Sequence, residues 1–462
     1  MISVASPAMV RLVAIALPLA LVLGALTAPE TTLLVLPALV LLFGALLAFE
    51  FPPLFCALVL ATFGLALDVQ VNLFTTGGQA SLGSALIKVL PFGLLGILLL
   101  RYGLSKVVNW PFLAFTVVAA ISLAVLPMGR VSTNSEMLRS FIGSTAPFVL
   151  GFVLAPKEVW NTLTRGAVLV PVISALAGLI TWVLGIYPAM DRIGRFQGLH
   201  SAPFLAGFCT TAIFAATLEY LRGFRTRWLL LGGLNLAILL ATQARTPSLV
   251  ALLFLGLVFF FSSRQVFPLK RKVDLVMGGM VPGLLLLGPA LAYALERFIS
   301  DDGEFNLSGR DILWPYYTEA IALRPLFGYG LGAGKLLIDP EDPMIKLVGA
   351  TAAHNEYLRL SLEAGIIGCG LIFGAIILWV WSGTQRTPAA ERIVLRSALV
   401  AVLLHSISDN TLISSTGVMQ FIWFSAALAR GRMEVRSRAL RRPDEASGWR
   451  PRQRDEEAGS GP

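Results

Sequence analysis

The stretch TAAHNEYLRLSLEAG, residues 351–365, and the run IIGCGLIFGAIILWVW that follows it at 366–381 decide how the chain is read. A polar segment holding His354, Asn355 and Glu356 leads into a segment without charge from Ala364 to Gln385, long enough to cross about 30 Å of hydrocarbon as a helix. Apolar runs of about 17–25 residues recur along nearly the whole chain. Hydrophobic residues make up 56% of the 462 and charged residues 14%, and the mean hydropathy is +0.77. That is too little charge for the surface of a soluble chain of this length. The predicted class is an all-α polytopic membrane protein, because a barrel would alternate apolar and polar residues and these runs do not.

About twelve to fourteen transmembrane helices are expected, the fuller count centring them near residues 18, 41, 60, 93, 118, 147, 176, 212, 234, 254, 283, 371, 399 and 421. The first run, Val10 to Leu26, reads as a retained span, since it lacks a convincing cleavage site and another apolar run follows it at once. Alternate loops are rich in Lys and Arg: Arg101 and Lys106, Lys157 and Arg165, Arg222 with Arg225 and Arg227, Arg264 through Lys272, and Arg386 with Arg392. The positive-inside rule places these loops and both termini in the cytoplasm. The chain divides into N-terminal spans at 1–155, central spans with Arg-bearing outward turns at 156–293, a long outward loop at 294–355, C-terminal spans at 356–430 and a disordered cytoplasmic tail at 431–462. The net charge of +9 sits largely beside spans or in the tail, which suits a bilayer surface and not nucleic acid. Cys56, Cys209 and Cys369 lie inside apolar runs and read as packing residues, not as a disulfide or metal framework.

Outward arginines run against the bias that sets topology, and they gather in three places. DRIGRFQGLHSAPFLAGF, residues 191–208, carries Arg192, Arg195 and His200. ATQARTPSLVALL, residues 241–253, holds Arg245 in a very short turn, close to the bilayer and in need of an anion or carbonyl partner. The long loop runs on to His354. Each arginine alone could simply contact a headgroup; several on one face suit a phosphate-bearing ligand, since the guanidinium fork presents paired donors to phosphate oxygens.

In SGRDILWPYYTEAIALRPLFGYGLGAG, residues 308–334, Ser308 and Asp311 stand at capping-box spacing. Trp314, Tyr317 and Ile321 follow at helical intervals, and Pro325 closes the helix. An amphipathic helix at the membrane interface is expected there. GYGLGAG lacks the Gly-Lys-Ser/Thr ending of a Walker loop. Beyond it, Asn355 is placed to start a helix, and Glu356, Arg359 and Glu363 fall on one face, with Glu363 turned into the bundle. The acidic groups Asp301, Asp302, Glu304 and Asp339, Glu341, Asp342 read as solvated loop charge, so no metal is expected. His405 and Asp409, near another outward turn, could add to the site, with packing or a surface contact the favoured reading for both.

The ordered series Arg310, Pro325, Phe327, Gly328, Gly330, Gly332, His354, Asn355, Tyr357, Leu358, Glu363, Gly365 and Gly368 resembles the signature of the O-antigen ligase family, whose superfamily also holds O-antigen and exopolysaccharide polymerases. RFQGLHSAPFLAGF resembles the family's Arg-x-x-Gly stretch, with His200, Ser201, Ala202 and Pro203 where Asn-Pro-Asn is usual. ARTPSLVALL resembles its Ser-Arg-x pattern, with Ala244 in place of serine. The resemblance implies a GT-C-like, metal-independent membrane glycosyltransferase without cofactor, in the bacterial inner membrane, with its active site at the periplasmic face. It implies a glycan donor on undecaprenyl diphosphate, and lipid A–core or a growing glycan as acceptor. On this reading Arg195 and Arg245 bind the donor diphosphate with Arg192 and Arg310 as helpers, while Asn355, Glu356 and Glu363 support the site. His354 is the general base or, alternatively, a phosphate ligand. Direct attack on the anomeric carbon would invert it. A transporter or flippase is the reading from another class, and the scarcity of mid-span charges other than Lys88 speaks against it.

Overall fold

The computed structural model describes residues 49–67, 81–124, 131–281, 309–339, 341–348 and 351–441, together with isolated positions at 69, 283, 288 and 292. These residues are helical, with isolated bridges at Leu104–Val153 and Met190–Phe196 and no strand among them. The helices are α1 (Pro52–Gly64), α2 (Ser81–Tyr102), α3 (Trp110–Ala124), α4 (Asn134–Thr145), α5 (Lys157–Gly166), α6 (Val170–Val183), α7 (Ala202–Gly223), α8 (Thr226–Ala241), α9 (Arg245–Phe261) and α10 (Leu269–Leu275). The later part holds α11 (Arg310–Leu323), two short helices α12 (Gly334–Leu337) and α13 (Pro343–Val348), and then α14 (Glu356–Gln385), α15 (Ala389–His405) and α16 (Ser415–Arg441).

Among the described residues, α7 and α14 are each long and apolar enough to cross a membrane, and the pair α5–α6, bent by 49°, supplies a third candidate. Several expected spans are shorter than a full crossing, such as α1 and α3. The expected spans near residues 18 and 41, and most of that near 283, lie outside the described residues. The expected span near 147 is not a continuous α-helix. α4 starts where the Thr133 hydroxyl accepts from the Glu136 amide, and from Ala146 the chain tightens into a 3₁₀ turn to Phe152. Pro147 stands at the start of that turn and has no amide to offer the preceding helix. The tail expected to be disordered from 431 is instead helical to Arg441 as the end of α16. Its sequence there, GRMEVRSRALR, is rich in good helix formers that extend a helix already nucleated. The rest of the tail lies outside the described residues.

α7 is the axis of the bundle. It packs against α8, α9, α15 and α16, and nearly every one of its side chains from Ala202 to Leu221 is buried. Aromatic rings lock this layer: Phe214 lies 4.3 Å from Phe254 of α9, and Phe148 lies 4.8 Å from Phe421 of α16, centroid to centroid. Small residues mark the closest crossings, as expected where helices associate by packing and not by escape from water. A Cβ on Gly207 would come within 2.8 Å of Thr416. One on Gly368 would come within 2.5 Å of Ala364 and 3.3 Å of Val118, where α14 meets α3. The three cysteines are buried free thiols.

Candidate functional site

The site is organised by a break in α14. Gly365 has φ 68° and ψ 176°, values reserved for glycine, so the helix interrupts its own ladder there. The segment 325–330 repairs the interruption. The amides of Tyr329 and Gly330 donate to the carbonyls of Leu362 and Glu363 at 2.9 and 2.8 Å, and the Ile366 amide donates to Pro325 O at 2.8 Å. This contact leaves no room for side chains: a Cβ on Gly365 would sit 2.0 Å from Leu326 O, and one on Gly328 (φ 65°) would sit 2.4 Å from Leu362 O. The Pro-x-x-Gly-x-Gly stretch is thus a splint for a broken helix.

α14 begins as its sequence predicts. The Asn355 side-chain oxygen accepts from the amides of Tyr357 and Leu358 at 3.0 and 3.1 Å. His354, immediately before, has φ 44°, a left-handed conformation uncommon outside glycine. Neighbours on α11 hold the chain in it. The Trp314 indole donates to Ala353 O at 2.9 Å and the Tyr317 hydroxyl to Thr351 O at 2.8 Å. Burial pushes the Tyr317 phenol up to about 12, so it remains a donor. α11 itself starts at Arg310 after Gly309 (φ 79°), with no side-chain cap. Ser308 of the anticipated capping box lies outside the described residues.

The start of α14 is docked on the end of α15 by the Glu356 amide, which donates to Ser406 O at 2.8 Å. That contact brings His354 beside Asp409. The His354 Nδ1 lies 3.9 Å from Asp409 Oδ1, and the His405 Nε2 lies 3.8 Å from Asp409 Oδ2. Arg310 closes the group, its Nη2 donating to Ser408 O at 2.9 Å. Burial raises the Asp409 carboxyl, but His354, His405 and the Asn410 amide together draw it below the usual carboxylate range. Burial lowers Arg310 from its ordinary value and Asp409 draws it back. The His354 side chain is 45% exposed, enough for a substrate hydroxyl to reach it. From the sequence His405 and Asp409 could add to the site, with packing or a surface contact favoured; the structure sets both in the His354 cluster. The available signal was the i, i+4 spacing of His405 and Asp409 at a short turn that ends a span.

Glu356 and Glu363 do not face this opening. Both are buried and clamp Arg359, whose Nη1 donates to Glu363 Oε2 at 2.9 Å and whose Nε donates to Glu356 Oε1 at 3.2 Å. They anchor the first turns of α14, beneath His354.

A second group forms around Arg195. Asp191 Oδ1 accepts from the Arg195 amide at 2.9 Å and Oδ2 accepts from its Nε at 2.6 Å. Burial raises the Asp191 carboxyl, yet these bonds hold it below its ordinary value. The loop is pressed on α6 through two glycines, since a Cβ on Gly178 would meet Gly198 Cα at 2.5 Å. The Phe196 amide then donates to Ala241 O at 3.0 Å, at the end of α8. α9 starts four residues later with Arg245, so the Arg195 loop and the Arg245 turn are neighbours. Arg192 is exposed beside them. His200 turns inward instead, buried with its Nε2 2.7 Å from Phe63 O. Helix packing links the elements that carry the two groups: α9, headed by Arg245, packs on α15, which ends at His405. Among the described residues no three His, Cys, Asp or Glu are grouped as metal ligands would be; Asp301, Asp302 and Glu304 lie outside those residues.

Residues 229–373 match the family described as O-antigen ligase. The chain is also similar to the exopolysaccharide production protein ExoQ of Rhizobium meliloti, 24% identical over 297 residues that cover 61% of this chain and 67% of that protein. A provisionally named polysaccharide ligase of Rickettsia felis is 29% identical over 124 residues, 25% of this chain and 30% of that protein. The matched region takes in Arg245, Arg310 and His354, and leaves out Asp409.

Proposed function

We propose, from the premise that this chain carries a domain of the O-antigen ligase family, that it transfers a glycan from undecaprenyl diphosphate to an acceptor hydroxyl at the periplasmic face of the bacterial inner membrane. Ligation to lipid A–core is the first reading. The observation that carries the proposal is the placing of an accessible imidazole, His354, next to a carboxylate at the end of α15, the helix on which α9 with Arg245 at its head is packed. His354 takes the proton from the acceptor hydroxyl. The freed oxygen pair forms the new bond to the anomeric carbon, and the bond to the diphosphate breaks with its electrons leaving on phosphate oxygen. Attack opposite the leaving group inverts the carbon. Arg195 and Arg245, helped by Arg192 and Arg310, are fixed cations toward which the diphosphate charge can develop. The chemistry proposed needs no metal, and the bundle is assigned to a GT-C-like polytopic architecture with both termini cytoplasmic.

Polymerisation of a polysaccharide from the same donor is the second reading, favoured by the similarity to ExoQ over most of that protein's length. Purified full-length protein given donor alone, then donor with lipid A–core, separates the two: chain growth without the lipid acceptor means a polymerase. In either assay His354→Ala and Arg245→Ala should lower transfer at least about a hundredfold, the scale of a lost general base or charge clamp. Membrane levels should be unchanged, and undiminished transfer in either variant would refute the assignment of that residue.

A further inference from the structure

We infer that Asp409 is the positioning residue of the transfer reaction, holding the His354 ring by Nδ1 so that Nε2 is the atom presented to the acceptor hydroxyl. The inference rests on the reading of His354 as the base and adds which nitrogen works and what directs it. The Asp409 Oδ1 faces Nδ1 at 3.9 Å, about 1 Å beyond a hydrogen bond and of the kind that tightens when substrate fills a site. With the Nδ1 proton pointed at a carboxylate, the lone pair that can accept a proton is on Nε2.

The carboxylate is itself fixed from several elements. His405, at the end of α15, approaches its other oxygen at 3.8 Å. The Asn410 amide donates to Oδ1 at 2.8 Å. Arg310 of α11 binds the neighbouring Ser408 carbonyl, and the two opposite charges act on one another. Glu356 of α14 is the like charge in range and is engaged by Arg359. The backbone carries the same design, because the left-handed His354 aims its side chain across the α14–α15 seam that the Glu356–Ser406 bond closes. Asp409 takes no proton. It keeps its charge while the imidazolium forms, and thereby stabilises that cation.

Asp409→Asn removes the charge and keeps the shape. In a reconstituted assay with an undecaprenyl-diphosphate-linked glycan and lipid A–core, kcat should fall at least about tenfold, while KM for the donor stays within about twofold. The acidic limb of the pH profile of kcat/KM should move to lower pH, because the imidazolium has lost its counter-charge. Asp409→Glu keeps the charge but displaces it by one methylene; its acidic limb should stay at the wild-type position while kcat falls several-fold. An Asn variant with wild-type kcat, or with a lowered kcat and an unmoved acidic limb, overturns the inference. Where the Asn variant does not accumulate, a Glu variant identical to wild type in kcat does the same. His354→Ala run in parallel keeps the two readings apart: full activity there defeats the base itself, whereas an inactive His354→Ala beside an unaffected Asp409→Asn defeats only this inference.

Discussion

Two charged clusters at opposite ends of α15 have opposite design. At one end Glu219 of α7 is enclosed by Arg165, Arg222 and Arg430, and Arg222 also donates to Glu391 at 2.8 Å. The carboxylates of Glu219 and Glu391 are almost wholly buried, and the network ties the end of α5, the end of α7 and the start of α15 to the middle of α16. At the other end Asp409 is approached by two imidazoles at 3.8–3.9 Å, and both it and His354 are partly open. The first cluster is closed and tightly paired. The second keeps a titratable ring in a strained conformation and leaves it accessible. Close pairing fixes helices; loose pairing with access leaves a group free for chemistry.

The largest effect that could break this comparison is at the closed end. Glu219→Gln would leave arginine charges buried without their shared counter-ion, a change that costs about 3–5 kcal/mol where a buried pair loses one member. The melting temperature in detergent should fall steeply, while whatever protein remains folded keeps its pH profile of transfer. An unchanged melting temperature would remove the structural meaning given to that network.

Next is the break in α14. Gly365→Ala puts a side chain at φ 68°, about 1–3 kcal/mol of backbone strain, and drives its Cβ against Leu326 O. Because the splint 325–330 and the start of α14 depend on that break, stability and transfer should fall together. Loss of one without the other would separate the splint from the site. A smaller effect belongs to Tyr317→Phe, which leaves the Thr351 carbonyl without its donor, at about 1 kcal/mol. Here the melting temperature should move little and kcat more, since the segment that holds His354 loosens.

These differences explain what was legible in the sequence. Asn355 as a helix start, the Trp314–Tyr317 face and the shared face of Glu356, Arg359 and Glu363 follow from spacing of three or four residues, and the structure keeps all three. The glycines around Pro325 were visible as a pattern, but their reason was not, because a broken helix and its splint lie about 35 residues apart and meet only through backbone bonds. The run around 147 is apolar enough to suggest a span; Pro147 turns it into a 3₁₀ segment. For Asp409 the sequence favours packing over the site for a similar reason. Its partner His354 is distant in sequence, and only the Glu356–Ser406 contact reveals their meeting.

The smallest effect sharpens the comparison at a half-buried pair. Asp191 and Arg195 meet at 2.6 Å with side chains 17% and 30% exposed, so their mutual stabilisation is about 0.2–1 kcal/mol. The Asp191 carboxyl titrates below its unfolded value in the folded protein. A group of that kind stabilises the fold above its unfolded pKa, and the contribution is lost as pH falls through the lower folded value. The melting-temperature gap between wild type and Asp191→Asn should therefore be small and constant from pH 5 to pH 8, and close only in acid below the ordinary carboxylate range. Donor KM should respond more than stability does, because Arg195 loses the carboxylate that aims it. A gap that grew between pH 5 and 8 would mean that the Arg195 loop takes its shape from a group titrating in that range, and the contrast between a closed structural cluster and an open reactive one would have to be redrawn to include it.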